Sequence, residues 1–452
     1  MFLQTQSIVT DNYAGWFDKV TDDNKAVYLD WTSNKYAQSK SISTDSSCAK
    51  LLQEWISFFK DKHLRIKYTK PKVIVQNSSV VKAIQILYSK LTENQIIAYL
   101  DQSKKLDPIE GIYESASYKL GVTKINDRQF HAVILSTTNQ NWKIGEVKLV
   151  IQKVGSKYQG TFYEGDKSDQ SEHEVQIVDN ILDFDIVFYE KIYPAVKVKK
   201  DIVEYEMSKD RYAPSLIFQK DVAIWKFPSF ENNANEQTEY LLKKYKEKLD
   251  TIPFWVLDFR NNSGGDYSIG LQLLEYIYTR PIVMYNTEMR MTKSNYDIWY
   301  KTFISNYYQS LDSVDKLKMD VRLNKMKANY DKMYNGDEKL TDTLLINNAN
   351  LFPKKIALLI NEQTVSSGEL FTILAAQSDK VNVMGSNSGG MIDYGNVVNY
   401  STNIAAIRIQ LPTNRYLWLN EGKSIDKEGI KPAIYLTDSD WVEAAIKLIK
   451  SK

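Results

Sequence analysis

Apolar positions along the chain change their period twice. Up to about residue 106 they recur at three- and four-residue spacing in "DNKAVYLDWTSNKYA", "CAKLLQEWISFFKDKH" and "TENQIIAYLDQSKK", the mark of amphipathic helices. "YTKPKVIVQNSS" interrupts them with an extended piece, and "LDPIEG" supplies the Pro and Gly of a boundary. From about residue 108 to 205 short Val-, Ile-, Tyr- and Phe-rich runs separated by turn residues follow, among them "FHAVILSTT", "GEVKLVIQKVG" and "KYQGTFYEG". They predict an antiparallel barrel or sandwich. Beyond about 215 strands and helices alternate: "DVAIWKFPSF", "EQTEYLLKKYKEKL", "PFWVLDFR", "DYSIGLQLLEYIYTR", "KKIALLIN", "SGELFTILAAQS", "KVNVMGS". That order predicts a largely parallel sheet with crossover helices. A polar, Lys- and Tyr-rich helical stretch at about 290–345 reads as an insertion or lid.

The expected organisation is therefore α+β and multidomain. A helical domain spans 1–106, an antiparallel β-barrel 107–210, and an α/β core 211–452. A chain of 452 residues is too long for one hydrophobic core.

Composition narrows the function by exclusion. Lys+Arg number 58 against Asp+Glu 56, so no whole-chain field argues for nucleic acid; "KVKK" at 197–200 is a short solvated cluster. One cysteine, Cys48, allows neither an intrachain disulfide nor a cysteine-based metal site. No cofactor or metal is expected. No run reaches the roughly 18 apolar residues of a membrane helix, and the first residues lack the basic start and apolar core of a signal peptide. The chain is expected to be cytoplasmic or a mature form without its leader. Oligomeric state is open.

Two strand-to-helix junctions carry candidate chemistry. In "LDFRNNSGGDYS" Asp258, Arg260 and Asn261 follow a buried strand, and Ser263, Gly264 and Gly265 open a helix. Paired glycines admit positive φ and close approach, and free N–H groups at a helix start attract negative charge. This suits an oxyanion hole, and equally a tight turn with Asn and Ser capping. In "INEQTVSSGELFTILAAQ" Ser366 and Ser367 stand where a strand gives way to a helix. The hydroxyl is either a nucleophile held on a rigid turn or an N-cap that Glu369 completes as a capping box.

Taken together, "VLDFRNNSGG", then about a hundred residues on "LLINEQTVSSGE", then "VMGSNSGG" and "DKEGIKPAIYL" resemble peptidase family S41, the tail-specific and tricorn-core serine proteases, over roughly residues 215–440. The resemblance implies a crotonase-like α/β core. It implies Ser366 as nucleophile, the N–H groups of Ser367 and of Gly264 or Gly265 as oxyanion donors, Glu369 in support and Ser388 in the following motif. "FFKDKHL" looks like the Asp-x-His segment that precedes the core in many members. The middle region looks closer to a lipocalin-like barrel than to a PDZ domain.

One position departs from the tail-specific pattern. Its base lysine, 25 residues after the serine, corresponds to Met391, and a thioether takes no proton. The tricorn branch uses serine, histidine and glutamate, and the glutamate corresponds to Asp426. No histidine lies within 215–440; the three are His63, His131 and His173. His63 is the leading candidate for the base, with pairing to Asp61 or capping of a helix as its structural alternative. Lys226 at the end of "AIWKFPSF" is the second, since a desolvated lysine can act as base. Asp426 or Asp393 would orient the base. The function expected is a serine peptidase acting on peptides or proteins, exported or in the cell envelope. The alternative is an inactive S41-derived protein that binds a peptide or small apolar ligand.

Overall fold

A computed structural model describes residues 1–70, 86–115, 117–167, 169–185, 187–195, 201–231, 233–336 and 338–451. The extended piece expected in "YTKPKVIVQNSS" lies outside these from residue 71 on, as does "KVKK". The chain forms two compact units, residues 1–73 with 212–452, and residues 74–211. The first helices thus share a unit with the α/β core, while the helix Glu93–Gln102 belongs with the barrel.

The second unit is a closed barrel of eight antiparallel strands running from Gly111–Glu114 to Phe188–Tyr193, whose first and last strands pair at Ile112 and Tyr193. Its apolar cluster includes Tyr113, Leu120, Val122, Phe130, Ile151 and Phe184, all without solvent exposure. His131 and His173 sit on its strands, beside Gln129 and Ser171 respectively.

In the first unit six strands form one sheet, in the order Ser215–Gln219, Val222–Lys226, Phe254–Asp258, Lys355–Ile360, Val381–Gly385, Ile434–Tyr435. The first pair is antiparallel and the rest parallel. Strands buried on both faces read as continuous apolar runs, and Trp255, Val256 and Leu257 are all fully buried. One face packs on the helix Trp441–Ser451 through Val256, Leu359, Ile446 and Ile449. Near the carboxyl ends of the strands, Phe259 stacks on Phe371 of the helix Ser367–Ala375 at 4.8 Å. That helix and Ser268–Ile277 start at these carboxyl ends.

A second sheet joins Arg65–Tyr68, Ile407–Tyr416, Thr287–Met291 and Lys332–Tyr334, with Tyr394–Ser401 also paired to Ile407–Tyr416. The helices Phe2–Asn12 and Asp45–Ile56 cover it. Val9, Leu52, Trp55 and Phe59 form one cluster with Val398, Ile407, Ile409 and Leu411. The stretch expected to be a helical insertion is helical over 293–310 and Ser313–Lys327, but paired strands bound it, Ile282–Tyr285 with Thr341–Leu344 and Thr287–Met291 with Lys332–Tyr334. Short β-pairs hide in sequence because three or four residues show no period.

Candidate active site

The strand Lys355–Ile360 leads to a turn pinned by Thr364, whose hydroxyl donates to the Phe259 carbonyl at 2.8 Å. Ser366 follows at φ +55°, ψ −123°. A non-glycine residue at positive φ is strained, and such strain persists where the surroundings enforce it. The enforcement is visible. The Ser366 N–H reaches the Met391 carbonyl at 3.1 Å and Glu369 Oε2 at 3.2 Å, and the Val365 N–H donates to the Asn262 carbonyl at 2.9 Å.

The diglycine turn meets this elbow. A Cβ on Gly264, at φ +81°, would lie 2.7 Å from Ser366 Cβ and 3.1 Å from its Oγ. A Cβ on Gly265, at φ +130°, would lie 2.1 Å from the Phe230 carbonyl oxygen. Only glycine lets the two turns approach so closely. The Ser367 hydroxyl then closes the seam, donating to the Gly265 carbonyl at 2.6 Å.

The two glycines are not equivalent as donors. The Gly264 N–H is already taken by Asn262 Oδ1 at 2.9 Å. Among the described residues no acceptor lies on the N–H of Gly265 or of Ser367. Of the pair left open by the sequence, the geometry leaves Gly265 free. Asn262, which the sequence suggested only as a cap, is fully buried. It also donates to the Phe227 carbonyl at 2.8 Å, so it latches both turns to the strand end.

The imidazole arrives from the other end of the chain. The helix Asp45–Ile56 runs into the short turn Ser57–Phe59, and Lys60 in left-handed conformation reverses the backbone. His63 follows and lies 3.2 Å, Nε2 to Oγ, from Ser366. Asp61 does not pair with the ring, its structural alternative; it accepts the His63 main-chain N–H at 2.8 Å. Lys226 stands exposed at the end of its strand, and among the described residues no hydrogen bond joins it to Ser366.

Burial pushes the His63 imidazole down to about 4; Asp426 and the Tyr394 backbone oppose this shift, and Arg65 adds to it. A buried ring that stays neutral can accept a proton. His63 Nδ1 and Asp426 Oδ2 are both buried without a hydrogen-bond partner among the described residues. Asp426 Oδ1 accepts from the N–H groups of Ile392 at 2.7 Å and Asp393 at 2.9 Å. Burial, then the charge of Asp393, pushes the Asp426 carboxyl up to about 6.

Asp393 is engaged elsewhere and is not available to the ring. Its carboxylate accepts from Trp418 Nε1 at 2.8 Å, the Ser424 hydroxyl at 2.5 Å and the Ile425 N–H at 2.9 Å. It holds the loop that carries Asp426.

Glu369 is fully buried. Oε1 accepts from the Ser388 hydroxyl at 2.5 Å and the Gly390 N–H at 2.8 Å, and Oε2 from the Met391 N–H at 2.8 Å. It thus ties the Ser388–Met391 loop to the elbow. Burial raises its carboxyl above the usual range while these donors oppose the rise. Met391, at the position of the family lysine, is buried with Arg65 Nη2 3.5 Å from its sulfur. His131 and His173 lie in the other unit.

A hydroxyl on a strained strand-to-helix turn, facing a neutral imidazole, is an arrangement met among serine-type hydrolases. Residues 221–436 match the model of peptidase family S41, the family whose motifs the sequence resembles. Among solved structures, mature CPAF complexed with lactacystin aligns over 100% of this chain and 97% of that one, at 14% identity and TM-score 0.50. The photosystem II D1 C-terminal processing protease aligns over 99% and 96%, at 11% identity and TM-score 0.38. The tricorn protease aligns over 100% and 36%, at 11% identity and TM-score 0.41. The likeness to CPAF is one of fold. No curated protein matches the sequence. Among the described residues no helix is long and apolar enough to cross a membrane.

Proposed function

We propose that the protein hydrolyses peptide bonds through an acyl-enzyme on Ser366, with His63 as general base and the N–H groups of Ser367 and Gly265 as the oxyanion hole. Ser366 Oγ attacks the peptide carbonyl carbon as its proton passes to His63 Nε2. The carbonyl oxygen takes the negative charge against the two free amides. His63 then returns the proton to the leaving amine as the C–N bond breaks. Water, deprotonated by the same ring, releases the acid and regenerates the hydroxyl. The charge of Asp426, which raises the His63 value, stabilises the protonated ring. Main-chain donors of this kind are worth on the order of 10² to 10³ in rate each.

The observation that carries this reading is the 3.2 Å approach of His63 Nε2 to Ser366 Oγ across 303 residues of sequence. It also removes the difficulty posed by Met391, because the base need not come from that position. The family resemblance further supports a crotonase-like core, peptide or protein substrates, and an exported or envelope location. The deciding experiment is Ser366→Ala in a peptidase assay. Activity is expected to vanish with the melting temperature nearly unchanged; a variant as active as the parent would refute the role of Ser366.

A further inference from the structure

We propose that Asp61 is the positioning residue of the general base: its carboxylate ties the His63 main chain to Tyr13 and so fixes the aim of the ring at Ser366. The proposal rests on the reading of Ser366 and His63 as the reacting pair. Asp61 is buried, and its two oxygens have separate tasks. Oδ1 takes the His63 N–H at 2.8 Å, and Oδ2 takes the Tyr13 hydroxyl at 2.7 Å.

Tyr13 follows directly on the helix Phe2–Asn12 and has no solvent exposure. Its ring packs 5.5 Å from Phe59, which precedes the His63 turn, and 5.7 Å from Tyr394 at the start of the strand Tyr394–Ser401. A Cβ on Gly15 would fall 2.4 Å from the Tyr13 hydroxyl oxygen, so the chain closes over this contact. Burial raises the Tyr13 phenol well above its usual range. It therefore remains a donor and cannot repel the carboxylate.

The turn itself is short and irregular. Lys60 is left-handed, and the regular strand begins only at Arg65. Between them the Asp61 carboxylate bridges the His63 backbone to a second element. Because Asp61 does not reach the ring or the serine, its effect passes through His63. Removing it should therefore slow the chemical step and leave substrate binding alone. A misplacement of about 1 Å at a reacting group costs on the order of 100-fold.

The test measures kcat, KM and thermal melting with fluorescently labelled casein on the full chain. The variants are Asp61→Ala, Asp61→Asn, His63→Ala and the Asp61→Ala/His63→Ala pair. Asp61→Asn keeps an acceptor for the His63 N–H and serves if Asp61→Ala does not fold. The expected results are a fall of about 100-fold in kcat for Asp61→Ala with KM held within about twofold, and substantial rescue by Asp61→Asn. In the His63→Ala background the same substitution should change the residual rate by no more than about twofold. An equal loss in both backgrounds would overturn the proposal, as would a folded Asp61→Ala, or in its absence Asp61→Asn, whose kcat and KM both follow a general loss of stability. Full activity in His63→Ala alone would instead remove the underlying reading of the base, and this proposal with it.

Discussion

Replacing Gly264 by alanine separates catalysis from stability more sharply than any other single change. The backbone there has φ +81°, and holding an L-residue in a left-handed conformation costs roughly 1–2 kcal/mol. In a unit of this size such a loss lowers the melting temperature by only about 2–6 °C. The added methyl would lie 2.7 Å from Ser366 Cβ and 3.1 Å from both Ser366 Oγ and the Ser367 nitrogen. Ordinary carbon contacts begin near 3.5 Å, so the serine or the loop must retreat by roughly 1 Å. Displacement on that scale costs on the order of 100-fold in rate, about 2.7 kcal/mol of transition-state stabilisation. The expected outcome is a folded enzyme that melts a few degrees lower and turns over about 100-fold more slowly. Hydrolysis of labelled casein and a thermal melt measure both quantities on one preparation. A folded Gly264→Ala within about twofold of the parent rate would show that the two turns do not need this approach, and the argument for a shared pocket would fail.

Other expectations follow from the same geometry. His63 must be neutral to accept a proton, and its folded value near 4 places the acid limb of kcat/KM below pH 6.5; because Asp426, pushed up to about 6, is already protonated on that limb, Asp426→Asn should leave the limb in place. A limb near pH 7, or one that moves in that variant, contradicts the assignment. Stability gives an independent check. Because the folded value lies below the unfolded 6.5, the unfolded chain binds the extra proton between about pH 4 and 6.5. Relative to His63→Gln, the parent should therefore lose stability as pH falls through that window and show no further change below it. Glu369→Gln turns one of the two accepting oxygens, either that facing the Gly390 amide or that facing the Met391 amide, into a donor. It should destabilise the fold by about 1–3 kcal/mol and reduce activity, and a denaturant melt without a shift would refute the role given to the buried carboxylate.

The largely parallel sheet of the core was readable because fully buried strands such as "FWVLD" and "KIALLI" are unbroken apolar runs followed by helical periods. The barrel was equally readable from alternating runs between turns. Divisions between the units were not, since the helix Glu93–Gln102 has the same period whether it packs on a barrel or a sheet. At the site, Ser366, Gly264 and Gly265 could be picked out because an elbow and a close approach restrict residue type. Which glycine keeps its N–H free depends on the side chain of Asn262, and no spacing rule reveals that. His63 could be nominated by elimination, for only three histidines exist, but its partner carboxylate could not be chosen. Asp393 and Asp426 differ only in what their oxygens already hold. Tyr13 left no trace at all, being one of 30 tyrosines.

The central claim is that the Ser366 hydroxyl is activated by His63 in a pocket reached by substrate. It is tested most directly by treating the folded protein with a fluorophosphonate probe and locating the adduct by peptide mass spectrometry. The account expects a single adduct on Ser366, formed at least about 100-fold more slowly in His63→Ala. A folded protein that stays unlabelled across the pH range, or carries the adduct on another residue, would contradict it.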